Sequence, residues 1–382
     1  MIFMVRQTDY SIGAARIRVQ SCVRHVFLAN QLEEDPALLL ALWRRFKRAK
    51  SDLRNIRDRL HRIRNYTFNI NALSEEQCLH DFRFRRNDIG RISRIIGWQL
   101  HHTSRNRYQC DAVTAACILF KRLSCTHTWY DMEPMFGMRY SHISEIFWDA
   151  IEKFVEYKGH LVTNLQSELL QSRAHIYSEA IRRRGSPLPR CVGFIDCPKI
   201  EMCRPGGLAS NQRSCFSGHT RKHCLKYLTI STPDGLIFYL YGPEVGRRHD
   251  MTVMRRSDIE SNMESSLVIE GTQYYVYGDP AFGLRPWLQT AFDRENATED
   301  ELKYNCSMNT IRTSVEWNYK DLKQIWTRNA FSRLLRVRQF PVALFYIASA
   351  LLLNFKTCIE KGGQASYYFD CDAPSFDVYS TL

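Results

Sequence analysis

Residues 191–200 read CVGFIDCPKI, a nearly unbroken apolar run with one acid, Asp196, at its sixth position. The run follows RRRGSPLPR (182–190), a basic stretch with Gly and two Pro residues that reads as a linker. Its length and composition fit a buried strand. A carboxylate closing such a strand loses hydration that only a partner can replace. Asp196 is therefore either a turn-former or a group placed at the strand's C-terminal edge to bind a cation or do chemistry.

The neighbouring sequence continues in the same texture. CLKYLTIS (224–231), LIFYLYG (236–242) and YYVYGD (274–279) are short β-branched and aromatic runs, and TPDGL (232–236) carries the Asp-Gly hairpin signal. Helical spacing returns over 298–326 and 340–356. The run FPVALFYIASALLLNF (340–355) is shorter than the ~20 residues that span a bilayer, so it reads as a buried helix and no membrane partner is expected. Residues 361–382 read as a flexible acidic tail.

Upstream the chain is helical. NALSEEQ (71–77) opens a segment with a capping box, Ser74 with Gln77. In CTHTWYDMEPMFGMRYSHISEIFWDAIEKF (125–154) a helix, a turn at Gly137 and a second helix capped by Ser141 have the cadence of a helix-turn-helix, although helix–Gly–helix corners also occur in cores. Within residues 37–66, Leu38, Leu42, Phe46, Leu53, Ile56, Leu60 and Ile63 recur at helical spacing among ten Arg and Lys residues. That basic face is either a solvated surface or a DNA contact. The expected organisation is a basic helical arm (1–72), a helical helix-turn-helix region (73–181), a linker (182–190), an α/β domain (191–360) and the tail.

Charge points to a polyanionic partner. The 382 residues carry a formal net charge of +13 and a pI near 9.2. Residues 1–110 hold 21 Lys and Arg against 10 Asp and Glu, a surplus of 11 in under a third of the chain. The 13 cysteines include no CxxC pair and sit mostly in apolar runs, which suits reduced core thiols. CFSGHTRKHC (215–224) lacks the second short pair of a structural zinc site and fits a DNA-facing loop better. No GxGxxG, GxxxxGK[ST] or GxSxG stretch is present, which removes support for nucleotide binding and for a serine hydrolase.

Three further acids stand where chemistry would want them. Asp279 closes YYVYGD as Asp196 closes its own strand, Asp250 ends GPEVGRRHD, and Glu316 lies in the helix NTIRTSVEWNYKDLKQIW. Two strand-end aspartates joined by a helix glutamate suit two Mg²⁺ or Mn²⁺ ions, and hence displacement at phosphorus. Arg312, Glu316 and Lys323 share a helix face at offsets of four and seven; as a bare pair, Arg312 and Glu316 would be an ordinary ion pair.

From Phe82 to Phe355 the chain resembles PIF/Harbinger-type transposases and the Harbinger transposase-derived nucleases, within the DDE endonucleases. IDCPKI, GRRHD, GDPAF, RTSVEWNYKDLK and LLNF stand in the order of the family's IDGTHI, G..HD, GDSGY, R..VERAFG.LK and LHNF. The resemblance implies an RNase H-like mixed-sheet nuclease domain preceded by the all-α helix-turn-helix region. It implies a catalytic triad of Asp196, Asp279 and Glu316, with Asp250 as a further ligand to two divalent cations. Candidate DNA contacts are Arg312, Lys320 and Lys323 on the later helix, and Arg139 and His142 at the corner. Expected partners are DNA (transposon ends and target), a second copy of the chain and a separate Myb/SANT-like DNA-binding protein, in the nucleus. Cys197, Pro198 and Lys199 depart from the family's Gly-Thr-His, and Pro280 and Ala281 from its Ser-Gly. They leave open a domesticated, catalytically inactive DNA-binding protein.

If the basic arm supplies phosphate contacts, deleting residues 1–72 weakens DNA binding broadly. It also flattens the slope of log K against log salt by about 0.9 per lost contact. Titrations at several salt concentrations measure this, and an unchanged slope assigns those arginines to a solvated surface.

Overall fold

The computed structural model describes residue 20 and residues 45–52, 68–96, 101–103, 109–206, 209–336 and 342–382. Of the expected basic helix, residues 45–52 are helical and the remainder lies outside the described residues. The described residues form two compact units: Trp129–Ile143 with what is described of residues 1–68, and Asn69–Thr128 with Ser144–Leu382.

The second unit opens with α1 (Glu75–Phe82) and α2 (Arg86–Ile95). Ser74 and Gln77 close the predicted capping box of α1. Helix α3 (Ala112–Ser124) is buried over most of its length. Helix α4 (Trp129–Phe136) and the start of α5 (Tyr140–Lys158) belong to the first unit. Gly137 turns the chain between them at φ 62°, and the Phe68 and Phe136 rings pack at 4.9 Å. Ser141 is not the cap expected of it, because α5 already begins at Tyr140. Instead Glu133 of α4 accepts the Tyr140 N–H at 2.8 Å, satisfying a first-turn donor.

After α6 (Ser167–Arg183) comes a mixed sheet of seven strands. They are β1 (Cys191–Asp196), β2 (Lys199–Glu201), β3 (Phe216–Ser217), β4 (Lys222–Ser231), β5 (Ile237–Val245), β6 (Tyr275–Gly278) and β7 (Leu288–Thr290). Strands β7, β6 and β1 run parallel. Strand β4 pairs antiparallel with β1, β2, β3 and β5. All of β1 but Asp196 is buried, as its apolar sequence requires. Gly278 lies opposite Ile195 in register; a Cβ there would come within 2.5 Å of the Ile195 side chain. The glycine thus lets β6 close on β1 just before Asp279.

Helix α7 (Asp250–Arg256) follows β5, and α8 (Glu299–Ile325) is 27 residues long, opened by a Thr298–Glu301 capping box. At 1.5 Å per residue α8 runs about 40 Å. Helix α9 (Val342–Glu360) is apolar and long enough to cross a membrane, but 78% of its most apolar window is buried inside the protein. Its Asn354 is fully buried. The side chain accepts the Ile237 N–H and donates to the Ile237 carbonyl, both at 2.9 Å, and donates to the Tyr379 hydroxyl at 2.8 Å. The asparagine of LLNF is therefore a clamp on the sheet.

Two boundary expectations need correction. The linker is shorter than 182–190, since α6 runs to Arg183 and Leu188 is buried. Residues 361–382 are no loose tail. They form α10 (Gln364–Phe369) and α11 (Phe376–Ser380), and Phe369, Cys371, Phe376 and Tyr379 are buried. Acidic spacing hid an aromatic pattern that packs. The TPDGL turn also does more than reverse the chain. Asp234 is fully buried and accepts from the Tyr177 and Thr232 hydroxyls at 2.6 Å each, 3.5 Å from Arg173.

Replacing Asn354 by Leu strands two backbone groups of Ile237 and should destabilise the fold by about 2–4 kcal/mol. The urea midpoint measures it; an unchanged midpoint removes the clamp from the account.

Candidate functional site

Asp196 and Asp279 end up side by side because β1 and β6 are parallel neighbours that terminate together. Asp279 also caps a short turn, Pro280–Phe282, its Oδ1 accepting the Ala281 N–H at 2.9 Å. Pro280 suits the first position of that turn because no N–H is needed there. Helix α8 is fixed against the sheet by the buried Tyr319 hydroxyl, 2.5 Å from the hydroxyl of Thr229. Thr229 faces Asp196 in register.

From α8, Arg312 reaches both aspartates: Nη2 lies 3.0 Å from Asp196 Oδ1 and Nη1 3.8 Å from Asp279 Oδ2. Burial raises the Asp196 carboxyl above the usual range, and Arg312 opposes the shift. Glu316, one turn along, is exposed. Asp196, Asp279, Arg312 and Glu316 open on one cavity of about 930 Å³. Arg312 pairs with the two aspartates rather than with Glu316, so the simple i,i+4 ion pair is not what the helix face is for.

Asp250, the first residue of α7, is placed differently. Lys226, the one charge in the buried part of β4, holds its carboxylate at 2.6 Å and also donates to the Arg248 carbonyl. Asp250 is close enough to Asp196 for its charge to be felt there, but it does not line the cavity. Cys197 is buried near Asp250 and Lys226, and burial pushes its thiol far up. The departure from the family pattern after Asp196 thus fills space around the Asp250–Lys226 pair.

The remaining candidates divide. Lys320 and Lys323 join Glu316 along a neighbouring groove of about 600 Å³. Arg312 faces the acids instead of a free surface. Arg139 and His142 lie in the other unit, are half-buried, and already interact within the protein. In CFSGHTRKHC the two cysteines are buried and His223 packs edge-on against Phe216. Among the described residues twelve cysteines are free thiols.

The donor set fits a hard divalent cation, since Asp196, Asp279 and Glu316 offer oxygen ligands to one cavity. As they stand, no three Asp, Glu, His or Cys residues among those described are close enough to share an ion; Arg312 lies between two of the acids. Sequence reasoning missed Lys226, although a lone lysine inside an apolar strand signals a carboxylate partner. It also missed Leu284, Phe292 and Arg294 on the cavity rim, for which no motif gives a sign.

Residues 195–351 match the DDE superfamily endonuclease family. The ALP1-like protein of Arabidopsis thaliana is 22% identical over 219 residues, 55% of this chain and 52% of that protein. Antagonist of like heterochromatin protein 1, also of Arabidopsis thaliana, is 22% identical over 228 residues, 55% and 53% respectively. HARBI1 of Xenopus laevis is 21% identical over 136 residues, 36% and 37%. The chain thus spans about half the length, or less, of these curated relatives. No solved structure matches it.

Replacing Arg312 by Gln leaves Asp196 buried without its counter-charge. The carboxyl's proton affinity in the folded state then rises further, so the ionised form is penalised more. The variant should lose about 1–2 kcal/mol near pH 8. The deficit should shrink as pH falls through the folded-state pKa, where the carboxyl is neutral. Melting curves across pH test this; a loss independent of pH would mean that Arg312 acts by packing.

Proposed function

We propose that this chain, whose residues 195–351 match the DDE superfamily endonuclease family, is a divalent-metal-dependent DNA endonuclease of the Harbinger transposase type. The observation that carries the reading is the convergence of Asp196, Asp279 and Glu316, from two parallel strand ends and one crossing helix, on a single cavity. Bound Mg²⁺ or Mn²⁺ would supply the positive charge that polarises a phosphodiester and activates water.

The chain's own groups do the rest. Asp196 and Asp279 are the inner holders, set by strand register and by the Asp279 turn. Glu316 is the outer holder, free on the α8 surface. Lys320 and Lys323 bind backbone phosphates of the strand leaving the cavity along α8. Arg312 pairs with both inner acids when no other cation does so. Asp250 is engaged by Lys226 rather than holding metal. Transposon-end recognition, joining of 3′-hydroxyl ends to target DNA, self-association and recruitment of a Myb/SANT-like partner in the nucleus extend the same reading. So does DNA contact by the α4–α5 corner.

A second reading, a DNA-binding protein that keeps the fold without the chemistry, is favoured by one observation. Arg312 and Lys226 already neutralise three of the four acids.

Nicking of supercoiled plasmid in Mg²⁺ or Mn²⁺ separates them. Asp196→Asn, Asp279→Asn and Glu316→Gln should each reduce nicking to background, with Glu316→Gln barely altering the melting temperature. Lys323→Ala should lower nicking several-fold and reduce the salt slope of binding by about 0.9. No nicking by the wild type, with DNA binding intact, selects the second reading.

A further inference from the structure

The rim of the acid cavity carries two large apolar side chains that the fold holds out in water. Leu284 is 65% exposed and Phe292 45% exposed, and both line the cavity with Asp196, Asp279 and Glu316. Single exposed apolar residues are common on protein surfaces. What distinguishes these two is how firmly each is held.

Leu284 follows the Asp279 turn. Gly283 ends that turn at φ 71°, a conformation that disfavours any side chain. The next residue is fastened on both sides: Arg285 and Leu288 exchange backbone hydrogen bonds at 3.0 and 3.1 Å, and Arg285 pairs with Glu260 at 3.1 Å. Phe292 is held by Asn305 of α8, only 4% exposed. Its amide accepts the Phe292 N–H at 2.8 Å and donates to the Phe292 carbonyl at 3.0 Å. Tyr304 meets the Phe292 ring edge-on at 5.2 Å. A buried amide and a braced ring thus support a half-exposed phenylalanine at the mouth of a polar cavity.

The rest of the rim narrows what these side chains could meet. Asp293 and Glu295 stand beside Phe292 and repel phosphate; of the two cations lining the cavity, Arg312 is taken up by Asp196 and Asp279, which leaves Arg294. Attraction at this rim therefore comes from apolar contact with bases. In a paired duplex, base faces are covered by their stacked neighbours and only their edges are offered. Bases that have left the stack offer faces to aromatic and aliphatic side chains.

We propose that Leu284 and Phe292 form an apolar wedge that receives unstacked bases flanking the scissile phosphate, so that the site selects DNA already unpaired or distorted at the point of cleavage. The inference rests on the nuclease reading for the identity of its ligand but is tested without catalysis.

Fluorescence anisotropy of the full chain in EDTA compares a labelled duplex with the same duplex carrying a short unpaired bubble. The wild type should favour the bubble by about tenfold. Leu284→Ser and Phe292→Ser should each bring that ratio towards one. Val378→Ser, at an equally exposed residue on α11 outside the cavity, should keep the wild-type ratio. No preference in the wild type, unchanged ratios in both wedge variants, or an equal loss in Val378→Ser would each overturn the wedge. So would wedge variants that dissociate a dimer in sedimentation with the ratio intact, which would make this rim a contact between copies. Since binding is read without metal, failure of plasmid nicking removes the nuclease reading and leaves this result standing. A missing bubble preference leaves nicking untouched.

Discussion

Everything at the site depends on one electrostatic constraint: Asp196 closes a buried strand, and its carboxylate there needs a cation to replace the hydration it loses. Arg312 provides it from α8. The requirement reaches backwards into the fold. Gly278 must be small for β6 to draw against β1, and the Tyr319–Thr229 hydrogen bond must seat α8 over the strand ends. A guanidinium also suits the task, because its planar fork can face two carboxylates at once. On β4, Lys226 does the same for Asp250.

Much of this was legible in the sequence. The apolar run ending at Asp196, the Asp-Gly hairpin at 232–236 and the Thr298 start of α8 correspond to β1, the β4–β5 turn and a capped helix. Each rests on local physics: continuous burial, turn chemistry or capping. What was not legible depends on partners distant in sequence. Arg312 stands four residues from Glu316, so spacing suggested a helix-surface pair; the sheet ends offered it two better-placed carboxylates. Asp250 looked like a ligand because it follows a strand and a glycine. Its pairing with Lys226 arises only once β4 lies beside α7. The end of the chain misled for another reason. Its acids are conspicuous, whereas Phe369, Phe376 and Tyr379 are spaced to pack beneath them.

Buried amides recur as fasteners in this fold. Asn354 grips both backbone groups of Ile237, and Asn305 grips both of Phe292. In each case a helix side chain takes up both backbone groups of one residue. A carboxamide can do this because it carries a donor and an acceptor in one plane. The Asn305 contact positions Phe292 on the cavity lining.

The docking of α11 also bears on when the second unit can form during synthesis. Asp377 pairs with Arg91 of α2 at 2.9 Å, the Ser380 carbonyl accepts from Lys158 of α5 at 2.9 Å, and Tyr379 fills the space beside Asn354. Segments translated early are thus completed by one translated some 290 residues after α2. At about 5–20 residues per second, a ribosome needs on the order of half a minute to cover that distance. Until residues 376–380 emerge, α2, α5 and α9 expose the surface they will later cover. The nascent chain therefore passes through a prolonged stage that invites chaperone capture, and the second unit can close only once residues 376–380 are available to it.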